Sequence, residues 1–227
     1  MIAFNIMAAS ELVYLKNLIP QLAMMGDEIY VVNSESTDGT WEWLNDNKVK
    51  YNIRPYQRKF DWHCANQRNF ILDKTPEKCW VFRIDCDELP SIRLRDNLKK
   101  ALIDPPFDRA LVRIINLHED FKHCDTIIGM QLRLFWKDNN CVWKDKTHER
   151  LDGDFKKTSA LINFDSNMVH FKFLDKHKRC DEYVKHEMYE QKHYDSLANP
   201  AELMEVPKEF EYDISEELKE YLCKSSI

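Results

Sequence analysis

The feature that most constrains the fold is a regular alternation of short apolar segments with amphipathic ones over the first 85 residues. Residues 2–7 (IAFNIM), 28–33 (EIYVVN) and 79–84 (CWVFRI) are short and apolar, as buried strands are. Between the first two, apolar residues recur near every 3.6 positions from Leu12 to Leu22, which predicts a helix. Strands and helices that alternate in this way predict right-handed crossovers and a mostly parallel sheet, with ligands beyond the carboxyl ends of its strands.

Caps and turn residues place the boundaries of these elements. The first helix is predicted to begin at Ser10 as its N-cap and to end at Gly26. A short helix is predicted over residues 40–47 (TWEWLNDN) and a third strand around 49–54 (VKYNIR). A helix over residues 66–74 (NQRNFILDK) then leads into the next apolar strand.

The pattern changes after Pro90. Residues 91–102 have helical periodicity, whereas 109–119, 126–136 and 141–151 resemble strands joined by loops. The parallel core is therefore predicted to gain antiparallel strands. We predict an α/β fold with a Rossmann-like mixed central sheet flanked by helices.

Composition narrows the class of protein. The chain has 227 residues, 44% of them apolar, enough for one large domain or two small ones. Its formal net charge of -6 argues against a polyanion-binding surface, and hence against a nucleic-acid partner. Seven widely spaced cysteines suggest reduced thiols, and no apolar run reaches the ~20 residues of a membrane span. We therefore expect a cytoplasmic protein with no membrane span.

The segment VFRIDCDELP places three acidic residues, Asp85, Asp87 and Glu88, directly after an apolar strand. Because burial of unpaired carboxylates is costly, we expect them just past the strand end, facing solvent, a cation or a ligand. In extended geometry Asp85 and Asp87 project to the same side, where two hard oxygen ligands suit Mn²⁺ or Mg²⁺. The alternative is a polar strand end whose carboxylates cap the following helix.

The chain contains only four glycines, and neither a P-loop nor a G-x-G-x-x-G motif is present. A bound diphosphate would therefore have to be held by a cation and by side chains.

Three segments, in this order, resemble the GT-A glycosyltransferases of the large inverting family 2. Residues 27–44 (DEIYVVNSESTDGTWEWL) are similar to that family's second strand and turn. Residues 66–91 resemble its R-N-x-A-L helix and D-x-D-E strand end. Residues 146–151 (KTHERL) are similar to the V-H-E-R-L element of a bacterial lipopolysaccharide-type branch. The resemblance extends over roughly residues 2–172.

The resemblance implies a GT-A fold and a hexosyltransferase-type enzyme. Such an enzyme moves a sugar, with inversion and a divalent metal, from a nucleotide-diphosphate donor to a glycan, glycolipid, glycoprotein or other hydroxyl acceptor. UDP is the default nucleotide. We expect a single GT-A domain over residues 1–227, with a nucleotide-binding half at 1–90, an acceptor half at 91–174 and a helical tail at 175–227.

The resemblance also assigns roles on the donor side. It places Asp85 on the ribose or the metal and Asp87 on the metal that bridges the donor diphosphate. Arg68 would contact the base or the diphosphate, and Glu11 belongs to the same nucleotide-binding set. Asn33 occupies the position of an acidic residue that reads the base in such enzymes; an amide can donate as well as accept hydrogen bonds, which leaves the base open.

The remaining site residues come from the second half of the chain. His170, between apolar residues at strand-like alternation, is either a satisfied core histidine or, by resemblance, a late metal ligand. An inverting transfer needs a base within hydrogen-bond reach of the acceptor hydroxyl. The resemblance places Glu149 near that position, with Glu119 and Asp120 as rivals, and each could instead belong to a solvated loop.

Two other functions stay open. The chain could be a non-catalytic sugar-nucleotide or glycan-binding module of the same fold, which would bind nucleotide without turnover. It could also be a nucleotidyltransferase, which would release pyrophosphate, although the glycine-rich phosphate loop usual in such enzymes is missing.

Overall fold

The computed structural model describes residues 1–118, 120–125, 129–157, 160–161, 167–171 and 203–225. Glu119 and residues 175–202 of the predicted helical tail lie outside the described residues.

The first half of the chain forms the predicted alternation of strands and helices. Its elements are β1 (Ile2–Ala8), α1 (Leu12–Met25), β2 (Glu28–Asn33), α2 (Thr40–Asn47), β3 (Ile53–Gln57), α3 (Cys64–Lys74) and β4 (Cys79–Arg83). β1 pairs in parallel with both β2 and β4, and β2 pairs in parallel with β3. The predicted parallel core is confirmed.

The second half adds mostly strands. Its elements are β5 (Glu88–Pro90), α4 (Ile92–Ala101), β6 (Arg109–Asn116), β7 (His123–Asp125), β8 (Gly129–Lys137), β9 (Val142–Lys144), β10 (Arg150–Asp152), β11 (Ala160–Leu161), β12 (Asn167–His170), β13 (Leu203–Glu205), a 3-10 turn at Lys208–Phe210, and α5 (Glu216–Ser225). α5 lies within the predicted helical tail.

One mixed sheet joins both halves, in the order β3-β2-β1-β4-β8-β6-β12-β5, with β11 also paired to β6. β8 is antiparallel to β4 and β6, β12 is parallel to β6, and β5 is antiparallel to β12. The carboxyl ends of β1, β2, β4, β6 and β12 consequently share one edge with the amino ends of β8 and β5. The predicted fold class, a mixed sheet flanked by helices, is confirmed.

Apolar side chains are buried on both faces of the sheet. One core cluster includes residues of α1, α4 and α5, and a second includes residues of α3 and of the β9–β10 hairpin. Two layers of helix thus cover the sheet and leave its ligand-facing edge to the loops. Within the described ranges, no helix has the length and apolar character needed to cross a membrane.

The predicted cap of α1 is wrong. Ser10 has left-handed backbone geometry, with φ of 57°, and its hydroxyl oxygen accepts from the Thr37 N–H at 3.2 Å. The first amide of the helix, that of Leu12, instead donates to Asp38 Oδ2 at 2.9 Å. Asp38 Oδ1 also accepts from the amide of Thr40 at 3.1 Å, so one carboxylate serves the starts of both α1 and α2.

Two other boundaries differ from the predicted ones. The third strand was predicted around residues 49–54; it begins at Ile53 and continues through Pro55 to Gln57. β3 is an edge strand, where a missing amide donor is tolerated. α3 begins at Cys64, two residues early, because the His63 side chain accepts from the Asn66 amide and caps the helix.

Candidate active site

The three acids after β4 lie in a tight turn. β4 ends at Arg83, the Glu88 amide donates to the Asp85 carbonyl at 3.2 Å, and the Asp85 amide donates to Glu88 Oε2 at 3.0 Å. The extended geometry expected for Asp85 and Asp87 is therefore wrong, because these two bonds close the chain on itself. Asp85 and Asp87 contact different partners.

Arg133 of β8 bridges the two outer acids of this turn. Its Nη1 donates to Asp85 Oδ2 at 3.1 Å and its Nη2 donates to Glu88 Oε1. The Arg133 side chain is only 1% exposed and that of Glu88 only 2%. Glu88 is thus buried and paired with a guanidinium cation, and this burial raises its pKa although Arg133 opposes the shift.

Arg68 and Glu149, expected on the nucleotide and the acceptor respectively, contact each other. Arg68 Nε donates to Glu149 Oε1 at 3.0 Å, and Arg68 Nη2 donates to Asp85 Oδ1 at 3.0 Å. The side chains of Arg68 and Glu149 are 6% and 9% exposed. Burial alone would raise the pKa of Glu149, but Arg68 and Arg83 outweigh it and lower that pKa.

Arg83, the last residue of β4, completes the group. Its guanidinium lies 3.6 Å from Asp85 Oδ2 and 3.7 Å from Glu149 Oε2. Burial, together with the like charges of Arg133 and Arg68, lowers its pKa to about 9. We call these six residues the arginine–carboxylate cluster: Arg68, Arg83, Arg133, Asp85, Glu88 and Glu149.

The cluster pairs three guanidinium groups with three carboxylates. Sequence reasoning missed Arg83 and Arg133. A signal was available, because each arginine interrupts an otherwise apolar strand, in CWVFRI and in QLRLFW. A charged residue in a buried strand needs a buried partner of opposite charge.

Asp87 faces His170 instead. Its Oδ2 lies 3.3 Å from His170 Nε2, and its carbonyl accepts from the Phe171 amide at 2.9 Å. Burial alone would lower the pKa of His170, but the Asp87 carboxylate outweighs it and raises that pKa. The two side chains keep 28% and 23% of their surface exposed, so the pair is accessible from the edge of the sheet.

Asn33 and Glu11, which were predicted to bind the nucleotide, lie at the same edge. Asn33 ends β2 and is fully buried; its Oδ1 accepts from the Ser36 hydroxyl, whereas its Nδ2 has no hydrogen-bond partner among the described residues. Glu11 is buried just past β1, and its Oε2 accepts from the Ala9 amide at 3.1 Å. The structure thus brings Asn33 and Glu11 to the predicted edge.

Asp120 lies in the exposed connection between β6 and β7. Its Oδ1 accepts from the amides of Lys122 and His123, each at 2.9 Å, and its Oδ2 contacts His123 Nδ1. The hydrogen bonds from His123 and Lys122 lower the pKa of Asp120. Asp120 is therefore the accessible one of the two described candidate bases.

Solved structures that match part of the chain include three of TarS from S. aureus. TarS 1-349 is 21% identical, with a TM-score of 0.45, over 52% of this chain and 36% of that chain. Its complex with UDP is 18% identical, with a TM-score of 0.46, over 52% of this chain and 36% of that chain. Its complex with UDP-GlcNAc is 21% identical, with a TM-score of 0.45, over 52% of this chain and 35% of that chain. The matched region thus spans little more than a third of these TarS chains.

No curated protein matches the chain. The family model described as glycosyl transferase family 2 matches residues 6–177, a region that includes the acidic turn, the arginine–carboxylate cluster and His170. The chain belongs to glycosyl transferase family 2.

Proposed function

We propose that the protein is a metal-dependent glycosyltransferase that moves a sugar, with inversion, from a nucleotide-diphosphate donor to a hydroxyl acceptor. UDP is the proposed nucleotide, and a glycan, glycolipid or glycoprotein is the proposed acceptor. The anomeric carbon loses its bond to the diphosphate oxygen and gains one to the acceptor oxygen, so that nucleoside diphosphate leaves and the acceptor proton passes to a base. The lipopolysaccharide-type branch and the hexosyl specificity stay predictions.

The observation that supports this proposal is the Asp87–His170 pair. A carboxylate oxygen and an imidazole nitrogen lie 3.3 Å apart at the edge where β2 ends in the buried Asn33. In open α/β sheets, ligands bind outside this edge. A donor with its base near Asn33 would therefore direct its diphosphate along the strand ends toward Asp87.

The donor atoms of Asp87 and His170 fit a divalent cation. Carboxylate oxygen suits Mg²⁺ and Mn²⁺, and imidazole also suits transition metals, which favours Mn²⁺. Asp85 fits less well, because both of its oxygens contact guanidinium groups. In the described part of the chain there is no cluster of three or more histidine, cysteine or acidic side chains suited to a metal. When bound, such a cation would stabilise the negative charge of the departing diphosphate.

We propose the base that takes the acceptor proton by comparing the exposure of the candidate side chains. Glu149 lies against Arg68 and Arg83 with 9% of its side chain exposed, so we assign it to holding those arginines. Asp120 is 43% exposed, which makes it the more accessible of the two described candidate bases. Glu119 stays an untested rival. We expect Asp120→Asn to lower kcat, with a smaller effect on nucleotide affinity.

A thermal-shift screen tests the donor side. The ligands are UDP, GDP, CMP, dTDP and their common sugar conjugates, each with and without Mn²⁺, because a ligand that binds the native state raises Tm. We expect one nucleoside diphosphate to stabilise the protein only with the metal. In Asp87→Ala we expect that metal-dependent shift to disappear while the ligand-free Tm stays close to wild type, since the carboxylate is partly exposed.

The outcomes of these experiments distinguish a glycosyltransferase from the two alternative functions. Stabilisation by no nucleotide would contradict the proposal, as would an Asp87→Ala variant with the full metal-dependent shift. Binding without transfer to any acceptor would favour the non-catalytic module, and release of pyrophosphate would favour a nucleotidyltransferase.

A further inference from the structure

We propose that Asn116 and Asp125 are positioning residues that select Nε2 of His170 as the nitrogen presented to a divalent cation. The inference rests on the proposed function in one respect, namely that a cation binds between Asp87 and His170. Neither Asn116 nor Asp125 was singled out in the sequence.

The three residues form a chain of hydrogen bonds behind the Asp87–His170 pair. Asn116 ends β6 and lies opposite His170 in the parallel register of β12. Asn116 Oδ1 lies 3.0 Å from His170 Nδ1, and Asn116 Nδ2 donates to Asp125 Oδ2 at 2.9 Å. Asp125 ends β7 and is buried.

The chemistry of these side chains determines which atom donates in each hydrogen bond. An ionised carboxylate only accepts hydrogen bonds, so the Asn116 group that faces Asp125 must be the NH₂. The Asn116 oxygen must then face His170, and because an amide oxygen only accepts, His170 Nδ1 must have the proton. In the neutral imidazole the lone pair is therefore on Nε2.

Nε2 is the nitrogen 3.3 Å from Asp87 Oδ2. The lone pair and the carboxylate thus point into the same space, as two ligands of one cation must. Backbone pairing fixes the position of His170 in β12, since the Leu117 amide donates to the His170 carbonyl at 2.9 Å. Groups that orient a ligating histidine in this way contribute to metal affinity without contacting the metal.

Asp125→Asn tests the inference with little change in volume. An asparagine at position 125 can donate as well as accept, so the Asn116 amide is free to reverse and to present its NH₂ to His170 Nδ1. The proton of the neutral ring would then move to Nε2, where it blocks metal binding. We expect the Mn²⁺ affinity, measured from the free Mn²⁺ signal in electron paramagnetic resonance, to fall about 10–100-fold.

A second readout reports the tautomer itself. Long-range ¹H–¹⁵N spectra of the metal-free protein, at a pH where the ring is neutral, distinguish the two tautomers of His170. The signals of His170 are assigned as those that disappear in His170→Gln. We expect the Nδ1–H form in the wild type and a mixture in Asp125→Asn. Asp46→Asn, the same change at an exposed position of α2, is the matched control and should alter neither readout.

The two readouts keep the inference and the proposed function apart. Suppose that the wild type binds no Mn²⁺ but shows the Nδ1–H form, and that Asp125→Asn loses this form. That result would refute the metal site and still establish that the hydrogen bonds through Asn116 and Asp125 select the tautomer of His170. An Asp125→Asn variant with wild-type Mn²⁺ affinity and an unchanged tautomer would overturn the inference. A wild-type ring protonated on Nε2 would overturn it as well.

Discussion

Glu149 shows how strongly a single residue can depend on partners that are distant in sequence. Arg68 lies 81 positions away in the chain, yet its Nε is 3.0 Å from the Glu149 carboxylate. Because Arg68 and Arg83 lower the pKa of Glu149, this carboxylate favours its ionised, paired state.

The lowered pKa predicts an acid-sensitive contribution to stability from Glu149. Its folded pKa is below the ordinary value of 4.5, so the unfolded state binds more protons as the pH falls through that range. The contribution is present above about pH 4.5 and is lost as the pH falls through the folded pKa. We expect the free energy of unfolding, measured with urea at successive pH values, to fall less steeply in Glu149→Gln than in the wild type.

Glu42→Gln, at an exposed position of α2, provides the control, and we expect its pH profile to follow that of the wild type. Identical slopes for Glu149→Gln and the wild type would show that the ion pair contributes nothing to stability in acid.

At the same scale, the sequence identified chemically important residues but not their contacts. Asp85, Arg68 and Glu149 were each singled out, and each lies in one cluster. The expected ligands were a nucleotide, a metal and an acceptor, whereas the described contacts are with one another. Spacing along a chain reports local geometry, and ion pairs over tens of residues depend on how the sheet is assembled.

At the scale of the element, β8 positions the acidic turn through Arg133. Its guanidinium bonds to the residues that flank the Cys86–Asp87 dipeptide, namely Asp85 and Glu88. Planar, forked donors allow arginine to bridge two carboxylates, which a lysine ammonium cannot do with the same geometry. The turn is thereby held from both sides, and Asp87 is left to face β12.

Removal of this bridge should be costly. Arg133→Met leaves the buried Glu88 without its ion-pair partner, whereas Asp85 keeps Arg68 and Arg83. The loss of one side of a buried ion pair destabilises a protein by about 3–5 kcal/mol, and we expect a decrease of that size in the free energy of urea unfolding. The double variant Arg133→Met/Glu88→Gln should recover part of the loss, because it also removes the stranded charge. A single variant within 1 kcal/mol of the wild type, on the order of a surface substitution, would contradict the role assigned to Arg133.

Most elements followed from periodicity, and the exceptions have a common cause. The strands and helices of the first half were placed within a few residues, because buried strands and amphipathic helices have distinct periods. The cap of α1 could not be identified, since its acceptor is Asp38 in another loop. Similarly, the third strand was predicted to end near residue 54 and continues through Pro55, which the sheet tolerates because β3 is an edge strand.

At the scale of the whole molecule, residues from the end of the described chain belong to the main core. Phe210, Leu218 and Leu222 are fully buried in the same cluster as the apolar residues of β1 and α1. The Ser215 amide donates to Asn17 Oδ1 at 2.7 Å, and the Gln21 side chain donates to the Asp213 carbonyl at 3.0 Å. This segment therefore contributes to the stability of the first half of the chain.

Phe210→Ala tests that contribution. A large aromatic deleted from a close-packed core costs about 3–5 kcal/mol, and we expect a loss of that size in the free energy of unfolding. Ile103→Ala, at a side chain 78% exposed, should have an effect below about 0.5 kcal/mol. If the two variants lost equal stability, the terminal segment would not be part of the cooperative core.

The position of β12 between β6 and β5 has a consequence for the order in which the site is made. β5 pairs with no other described strand, so it must wait for its partner until residues 167–170 leave the ribosome. At the usual elongation rate of about 5–20 residues per second, the roughly 80 intervening residues take about 4–16 s. During that interval Asp87 is synthesised and His170 is not, so a nascent chain acquires the Asp87–His170 pair only when the sheet is complete.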